Sequence, residues 1–338
     1  MPKFDFDAIN LGHGSGGILS QRLLNSGVFD VLKNDLLNTR HDGAVFDLQG
    51  KVAFSTDSYV VSPLFFAGGN IGDLAINGTV NDLAMCGAMA RYLSLSFILE
   101  EGLPMTQFWE ILQTIRQAAD HAGVQIVTGD TKVVERGKGD GIFINTSGIG
   151  IVHAQAALGW AALQPGDKVI LNAPIAAHGI AIMSQRSGLD FETDVVSDTA
   201  PVHKAVEALL DAFGSNIHFL RDATRGGLAS VTNEIAGDGK VGIELWQKAI
   251  PVAEQVAGAC EMLGLDPLYV ANEGVFVAIV AANMANDACA LLQSKGWPQA
   301  CIAGEVNAAH KGQVLLRSAI GGRRVVNMLP GEQLPRIC

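Results

Sequence analysis

The sequence is poor in charge. Of its 338 residues only 17% are Asp, Glu, Lys or Arg, against 49% hydrophobic residues. That balance excludes intrinsic disorder and coiled coil, and at about 150 residues per domain the length leaves room for two domains with real cores. Basic residues are the scarcer sign, 23 Lys and Arg against 34 Asp and Glu, and they gather no further than pairs such as Arg323-Arg324. The net charge of −11 therefore disfavours nucleic acid as a partner. No run approaches the ~18 consecutive apolar residues that span a bilayer, so the positive mean hydropathy reports core spread along the chain and no membrane segment. The start, MPKFDFDAIN, lacks the basic-then-apolar plan of a signal peptide, and a cytoplasmic protein is expected. Five cysteines (Cys86, Cys260, Cys289, Cys301, Cys338), odd in number and without a CxxC pair, argue against a disulfide framework or zinc ribbon. Four stand in apolar, Ala-rich contexts and read as inert core. Cys338 is the last residue.

Other absences narrow the chemistry. There is no GxxxxGK[ST] and no GxGxxG between a strand and a helix, which removes the P-loop and Rossmann readings. The eight histidines make no HExxH or HxH spacing and read as surface or structural, His13 in its glycine loop being the exception. Without GxSxG, a Ser-hydrolase elbow is not expected.

Strand and helix patterns alternate along the chain. VAFSTD, VQIVTGD, IFINTSGIGIV and the alternating YLSLSFIL read as strands, with helices expected from Ile71 to about Met89 and from about Met105 to Ala122, the latter stopped by Gly123. This gives a first α/β domain over residues 41–160, preceded by a Gly-rich appendage over 1–40. The Pro-Gly-Asp turn of LQPGDKVILNAP opens a second, α+β domain over 161–330. Its helices are expected near 178–187, 201–213, 225–236, 252–264 and 284–295, and its strands near 167–172, 217–222, 241–245, 274–281, 300–306 and 313–317. Residues 331–338 form a tail that, extended, reaches roughly 27 Å.

Five aspartates recur among Gly, Ser, Thr and Asn: Asp42, Asp57, Asp82, Asp130 and Asp222. Singly each reads as a turn or cap residue; together they suit Mg²⁺, which bridges carboxylates to substrate phosphates. Phosphate candidates are Gly14-Ser15-Gly16-Gly17, Gly68-Gly69-Asn70, Thr131-Lys132 and Thr224-Arg225-Gly226-Gly227, where glycine permits close backbone approach or a helix opens.

As a set, GHGSGG, FSTDSYVVSPLFFAGGNIGDLAINGTVNDLAMCGA, TGDTKVVERG, FINTSGIG, RDATRGGL, YVANEG and the terminal PRIC closely resemble the HypE family of hydrogenase maturation factors, carbamoyl-cysteine dehydratases. STDS and NGTVNDLA are shared with the wider PurM-like superfamily of aminoimidazole ribonucleotide synthetase and selenophosphate synthetase; PRIC narrows the resemblance. It implies a two-domain PurM-like ATP-binding fold, α/β plus α+β, that dimerises through the first domain's sheet and ends in a flexible tail. It implies ATP and Mg²⁺, with Asp42, Asp57, Asp82 and Asp222 holding metal and triphosphate, and Thr131 and Lys132 against the phosphates. Gly14, Ser15, Gly16, Asn70, Asp130 and Arg225 complete the expected nucleotide site. Cys338 would carry a carbamoyl group received from the carbamoyltransferase HypF, the chain would dehydrate it to a thiocyanate, and the cyanide would pass to an iron-carrying HypC–HypD scaffold. Glu273, with Lys132 as runner-up, is the expected base. Two rivals stand beside this: a synthetase of the superfamily such as a selenophosphate synthetase, whose reactive residue near the N-terminus this chain lacks before Cys86, and an ATP-responsive scaffold without turnover.

Overall fold

A computed structural model describes residues 6–15, 17–40, 43–187, 195–328, 331 and 336–338. Strands β1 (Val52–Tyr59), β2 (Ala88–Glu100), β3 (Gln125–Val134) and β4 (Ile142–Val152) form one sheet in the order β1-β4-β2-β3. Only β2 and β3 run parallel. β4 alternates buried and half-buried residues over its length, the mark of a sheet with one face covered. The cover is two helices, α1 (Ile71–Met85) and α2 (Met105–Ala122). α2 buries Met105, Phe108, Ile111, Leu112, Ile115, Ala119 and Ala122, an i, i+3/i+4 stripe, and ends where Gly123 turns left-handed at φ +71°.

α1 is buried on nearly every side, and that is where sequence and structure part. The helix stops at Met85 because Gly87 adopts φ +71°, and β2 begins at Ala88. β2 is therefore longer than YLSLSFIL suggests. At the other end Asn70 accepts the Gly72 N–H at 2.7 Å while Asp73 accepts the Asn70 N–H at 3.0 Å, a reciprocal cap worth about 0.5–2 kcal/mol.

The first 40 residues are no appendage. Ile9, Leu23, Leu32 and Leu37 sink into the same core, and Ile9 and the 102–103 turn exchange backbone hydrogen bonds. The helical run Ile18–Leu23 continues through a π turn, Leu24–Val28, into Phe29–Leu32.

The second domain is a seven-stranded sheet in the order β11-β10-β7-β9-β5-β8-β6. Its strands are β5 (Lys168–Leu171), β6 (Ile217–Asp222), β7 (Gly242–Trp246), β8 (Phe276–Val280), β9 (Cys301–Asn307), β10 (Val314–Arg317) and β11 (Arg323–Val326). Helices α3 (Ala177–Ser187), α4 (His203–Phe213), α5 (Gly227–Gly239), α6 (Glu254–Leu263) and α7 (Ala285–Ser294) accompany them. The expected elements recur within a few residues, and β11 is an addition. Among the described residues no helix is long and apolar enough to cross a membrane. Cys260 and Cys289 are buried as expected, but Cys86 is exposed and Cys301 half-buried.

The domains are tied through α1. Asn81, itself buried, donates to the carbonyls of Ala200 and Glu273 at 3.0 and 3.1 Å and accepts the Val202 N–H at 2.9 Å.

Candidate functional site

Two groups of expected residues come together, at different places. The first lies where β1, α1 and one end of the second sheet meet. Ser55 on β1 donates to Asp82 Oδ2 on α1 at 2.7 Å, and Asp57, two residues along, shares that face of the strand. Asp222 ends β6 opposite Phe276, the first residue of β8, and Glu273 lies three residues before it. Glu273 is 5% exposed. Its N–H donates to Asp198 Oδ1 at 2.9 Å, while its Oε1 and Asp198 Oδ2 are buried without a partner among the described residues. Burial, then the charges of Asp198, Asp222 and Asp57, push the Glu273 carboxyl well above its ordinary range. Burial and Asp82 likewise raise Asp222 to about 7, and burial raises Asp82.

The end of the chain reaches into this group. Val60 N–H donates to the Cys338 carbonyl at 3.0 Å and Ser62 N–H to the Arg336 carbonyl at 3.3 Å, so the tail lies along the segment that leaves β1. His178 bonds the Ile337 carbonyl at 2.8 Å. Burial, then Glu273, push the Cys338 thiol upward against an opposing pull from Arg225. Arg225 in turn is raised first by Cys338 against the effect of burial, then by Asp57, Glu273 and Asp82, which makes it a cation of the cleft. The Arg336 side chain bonds Asp140 and, at 3.0 Å, the Val60 carbonyl.

The second group surrounds a cavity of about 240 Å³ between the N-terminal segment and β3. Leu24, Val28, Phe29, Leu32 and Phe97 give it apolar walls, and Gly14, Asp130, Thr131 and Lys132 are at its rim. Lys132 Nζ grips both oxygens of Asp130 at 2.7 and 2.6 Å, and Asp130 Oδ1 accepts the Thr131 N–H at 2.8 Å. Lys132 first, then burial opposing it, sets Asp130 below its ordinary value. Gly14 lies flat on β3: a Cβ there would stand 2.6 Å from Val133 N.

The groups stand at opposite edges of the sheet. β1 and β3 are three strand spacings apart, on the order of 14 Å. Lys132 is paired with Ile98, on the face opposite to Leu95 and Phe97, whereas Asp57 shares a face with Ser55 toward α1. Within one chain, then, Lys132 does not meet Cys338 or Glu273, which corrects the expectation of Lys132 as runner-up base for its own chain's tail. Asn70 is corrected too. Its amide donates to Thr114 at 2.8 Å and its oxygen caps α1, so its polar atoms are committed within the first domain. Ser15 turns back to the Gly12 carbonyl at 3.0 Å and does not line the cavity. Asp42 and Gly16 lie outside the described residues.

Sequence reasoning missed Asn81, Asp198, His178 and Arg186. Each has a weak local signal: a polar side chain inside an otherwise apolar helix, as in AAHGIAIM, or an Asp before Thr-Ala-Pro.

Residues 40–152 match the family described as AIR synthase related protein, N-terminal domain, and residues 164–317 its C-terminal domain. The carbamoyl dehydratase HypE of Rhizobium leguminosarum bv. viciae is 47% identical over 332 residues, covering 98% of this chain and 95% of that one. A crystal structure of hydrogenase maturation protein HypE in complex with ATP matches with a TM-score of 0.94 and 47% identity, over 97% of this chain and 99% of that one. The chain in a HypE–HypF complex matches at 0.80 and 41% identity, over 93% and 100%.

Proposed function

The chain belongs to the carbamoyl dehydratase HypE family, and from that premise we propose how its residues divide the work of dehydrating a carbamoyl group on Cys338 with ATP. The observation that supports it is Cys338, seated in a cleft with Arg225 and with the buried Glu273 carboxyl, whose Oε1 has no partner among the described residues.

The carbamoyl group arrives from HypF while the tail is outside, as a complex between relatives of both proteins supports. On docking, its oxygen attacks the γ-phosphorus of ATP; the new O–P bond forms as the bond to ADP breaks. Glu273 removes one N–H proton, leaving an O-phosphorylated imidate. The C–O bond then breaks, the second proton leaves with phosphate, and the thiocyanate C≡N forms on the sulfur. The sum is thiocarbamate plus ATP giving thiocyanate, ADP, phosphate and one proton. Burial makes Glu273 a stronger base than an exposed carboxylate. Arg225, coupled to Cys338, Asp57, Glu273 and Asp82, would stabilise the charge that develops on the phosphoryl group.

Asp57, Asp82 and Asp222 fit Mg²⁺ as hard oxygen donors, and burial, with the charge of a neighbouring aspartate behind it, raises Asp82 and Asp222. Among the described residues no three such side chains converge closely enough to hold a metal by themselves. That suits an ion carried on the triphosphate, where it would neutralise charge on the transferring group. The apolar cavity beside Gly14 takes the nucleoside, with Thr131 and Lys132 toward the phosphates. Because Lys132 and Asp57 occupy opposite edges and faces of the sheet, a nucleotide touching both is shared between two copies packed through the open sheet face, where Phe54 and Ile98 are exposed. The thiocyanate then swings out to deliver cyanide to the HypC–HypD scaffold.

Single-turnover dehydration of the carbamoylated protein tests the assignment of the base. Glu273→Gln should still bind ATP and lose thiocyanate formation; turnover at the wild-type rate would remove Glu273 from that role.

A further inference from the structure

We propose that His178 is a positioning residue for this reaction: it holds the Ile337 carbonyl so that the sulfur of Cys338 faces Glu273 and Arg225. The inference rests on the roles given above to Cys338 and Glu273, and adds the device that brings them into register.

The geometry fixes the tautomer. A carbonyl only accepts, so the 2.8 Å contact to Ile337 requires a proton on His178 Nε2. The neutral ring then accepts at Nδ1 from the Ser197 hydroxyl at 2.8 Å. The Ser197 oxygen can give its proton away because it accepts the Thr199 N–H at 3.1 Å. The imidazole is fully buried, with Phe66 edge-on at 5.6 Å, and burial first, then Arg186, lowers it to about 4, so the neutral form persists at neutral pH. About two turns further along α3, Arg186 donates to the carbonyls of Arg336 and Ser62. Two side chains of one helix thus grip two successive tail carbonyls.

The same short segment also holds the base. Ser197 orders His178, and the next residue, Asp198, accepts the Glu273 N–H at 2.9 Å. The segment is itself pinned to the first domain, where Ser197 N–H donates to the Ala67 carbonyl at 2.8 Å. Tail and base are therefore located by adjacent residues of one strap, which leaves little freedom in the separation between the sulfur and the Glu273 carboxyl. The docked tail also contains Arg336 at φ +54°, a left-handed conformation that a non-Gly residue holds only when its contacts over-determine it. Among the described residues His178 and Arg186 hold the tail by the backbone oxygens of Ile337 and Arg336, groups that carbamoylation of the cysteine leaves unchanged.

The test uses the full chain as His178→Leu, which removes the donor, and Ser197→Ala, which spares the ring but frees its orientation. Carbamoylation of Cys338 by the carbamoyltransferase should proceed at the wild-type rate, since it needs the tail outside. Single-turnover dehydration at saturating ATP should fall on the order of 100-fold in His178→Leu and roughly 10-fold in Ser197→Ala, with the KM for ATP unchanged, because a small misplacement of reacting groups costs about that much. Trypsin cleavage after Arg336 should accelerate in both. A wild-type dehydration rate in His178→Leu, in an assay where Glu273→Gln is inactive, overturns the proposal while leaving the base in place. Loss of ATP binding together with dehydration in both variants overturns it as well, because the defect would then be structural.

Discussion

The Val60 amide donates to the carbonyl of Cys338 at 3.0 Å, so the last residue of the chain lies against the first residue beyond the strand that carries Asp57. The proposed acceptor of the carbamoyl group is thereby held against the end of the strand that carries a candidate metal ligand. Replacing Cys338 by Ala should abolish carbamoyl acceptance and leave ATP affinity and Tm near wild type, because the hydrogen bonds that seat the described tail residues are made by backbone atoms and by the Arg336 side chain, which the substitution leaves in place. Intact-mass analysis and calorimetry check both halves.

Lys132 is expected to act across the dimer. A mixture of Lys132→Ala and Cys338→Ala chains, each inactive alone, should regain activity on subunit exchange, since the mixed dimer unites an intact Lys132 edge with an intact tail. No recovery, with mixed dimers demonstrated by native mass spectrometry, would place Lys132 outside the reaction.

The rim of the nucleoside cavity depends on a residue without a side chain. Gly14→Ala would press a Cβ onto Val133 N and lift the N-terminal segment from β3. Overpacking of this kind costs about 1–3 kcal/mol, so ATP affinity should drop on the order of 10-fold in titration calorimetry while carbamoylation of Cys338 is retained.

Stability should decline as pH rises through neutrality. Burial lifts Asp198 from its ordinary 3.8 to about 7. A carboxyl that is protonated when folded and ionised when unfolded stabilises the fold fully below pH ~4 and loses that contribution as pH rises through 7. Asp198→Asn removes the dependence of that one group, and between pH 5 and 7 its unfolding free energy should fall less steeply than wild type, by at most about 1.4 kcal/mol per pH unit. His178 and His203, lowered to about 4, work in the opposite sense and lose their contribution as pH falls from 6.5. They are common to both proteins and cancel in the difference. Identical slopes would show that Asp198 is ionised in the folded chain.

Much of the fold was legible because periodicity reports burial: the stripe of α2 and the alternation of β4 follow from which face meets the core. α1 was overrun by four residues because it is apolar all round, and only the left-handed Gly87 marks its end. β11, Arg323–Val326, shows no alternation. It exists because β10 pairs with it and Arg323 reaches the buried Glu244 at 3.0 Å, partners distant in sequence. In the candidate site the fold brings together residues that motifs carried, including Asp82, Asp222, Glu273 and Arg225. Those that act by holding something else, such as Asn81, Asp198 and His178, carry no spacing of their own. Lys132 was recognised, yet its remoteness from the tail depends on strand order, which no local pattern encodes.

The central claim is that the terminal cysteine is the substrate carrier of an ATP-driven dehydration. Mass spectrometry of the C-terminal peptide, after incubation with carbamoyltransferase, carbamoyl phosphate and ATP, tests it most directly. The account predicts a carbamoyl adduct on Cys338 that loses one water when ATP is hydrolysed. An adduct that persists unchanged while ATP is bound would contradict it and leave the chain a nucleotide-responsive scaffold.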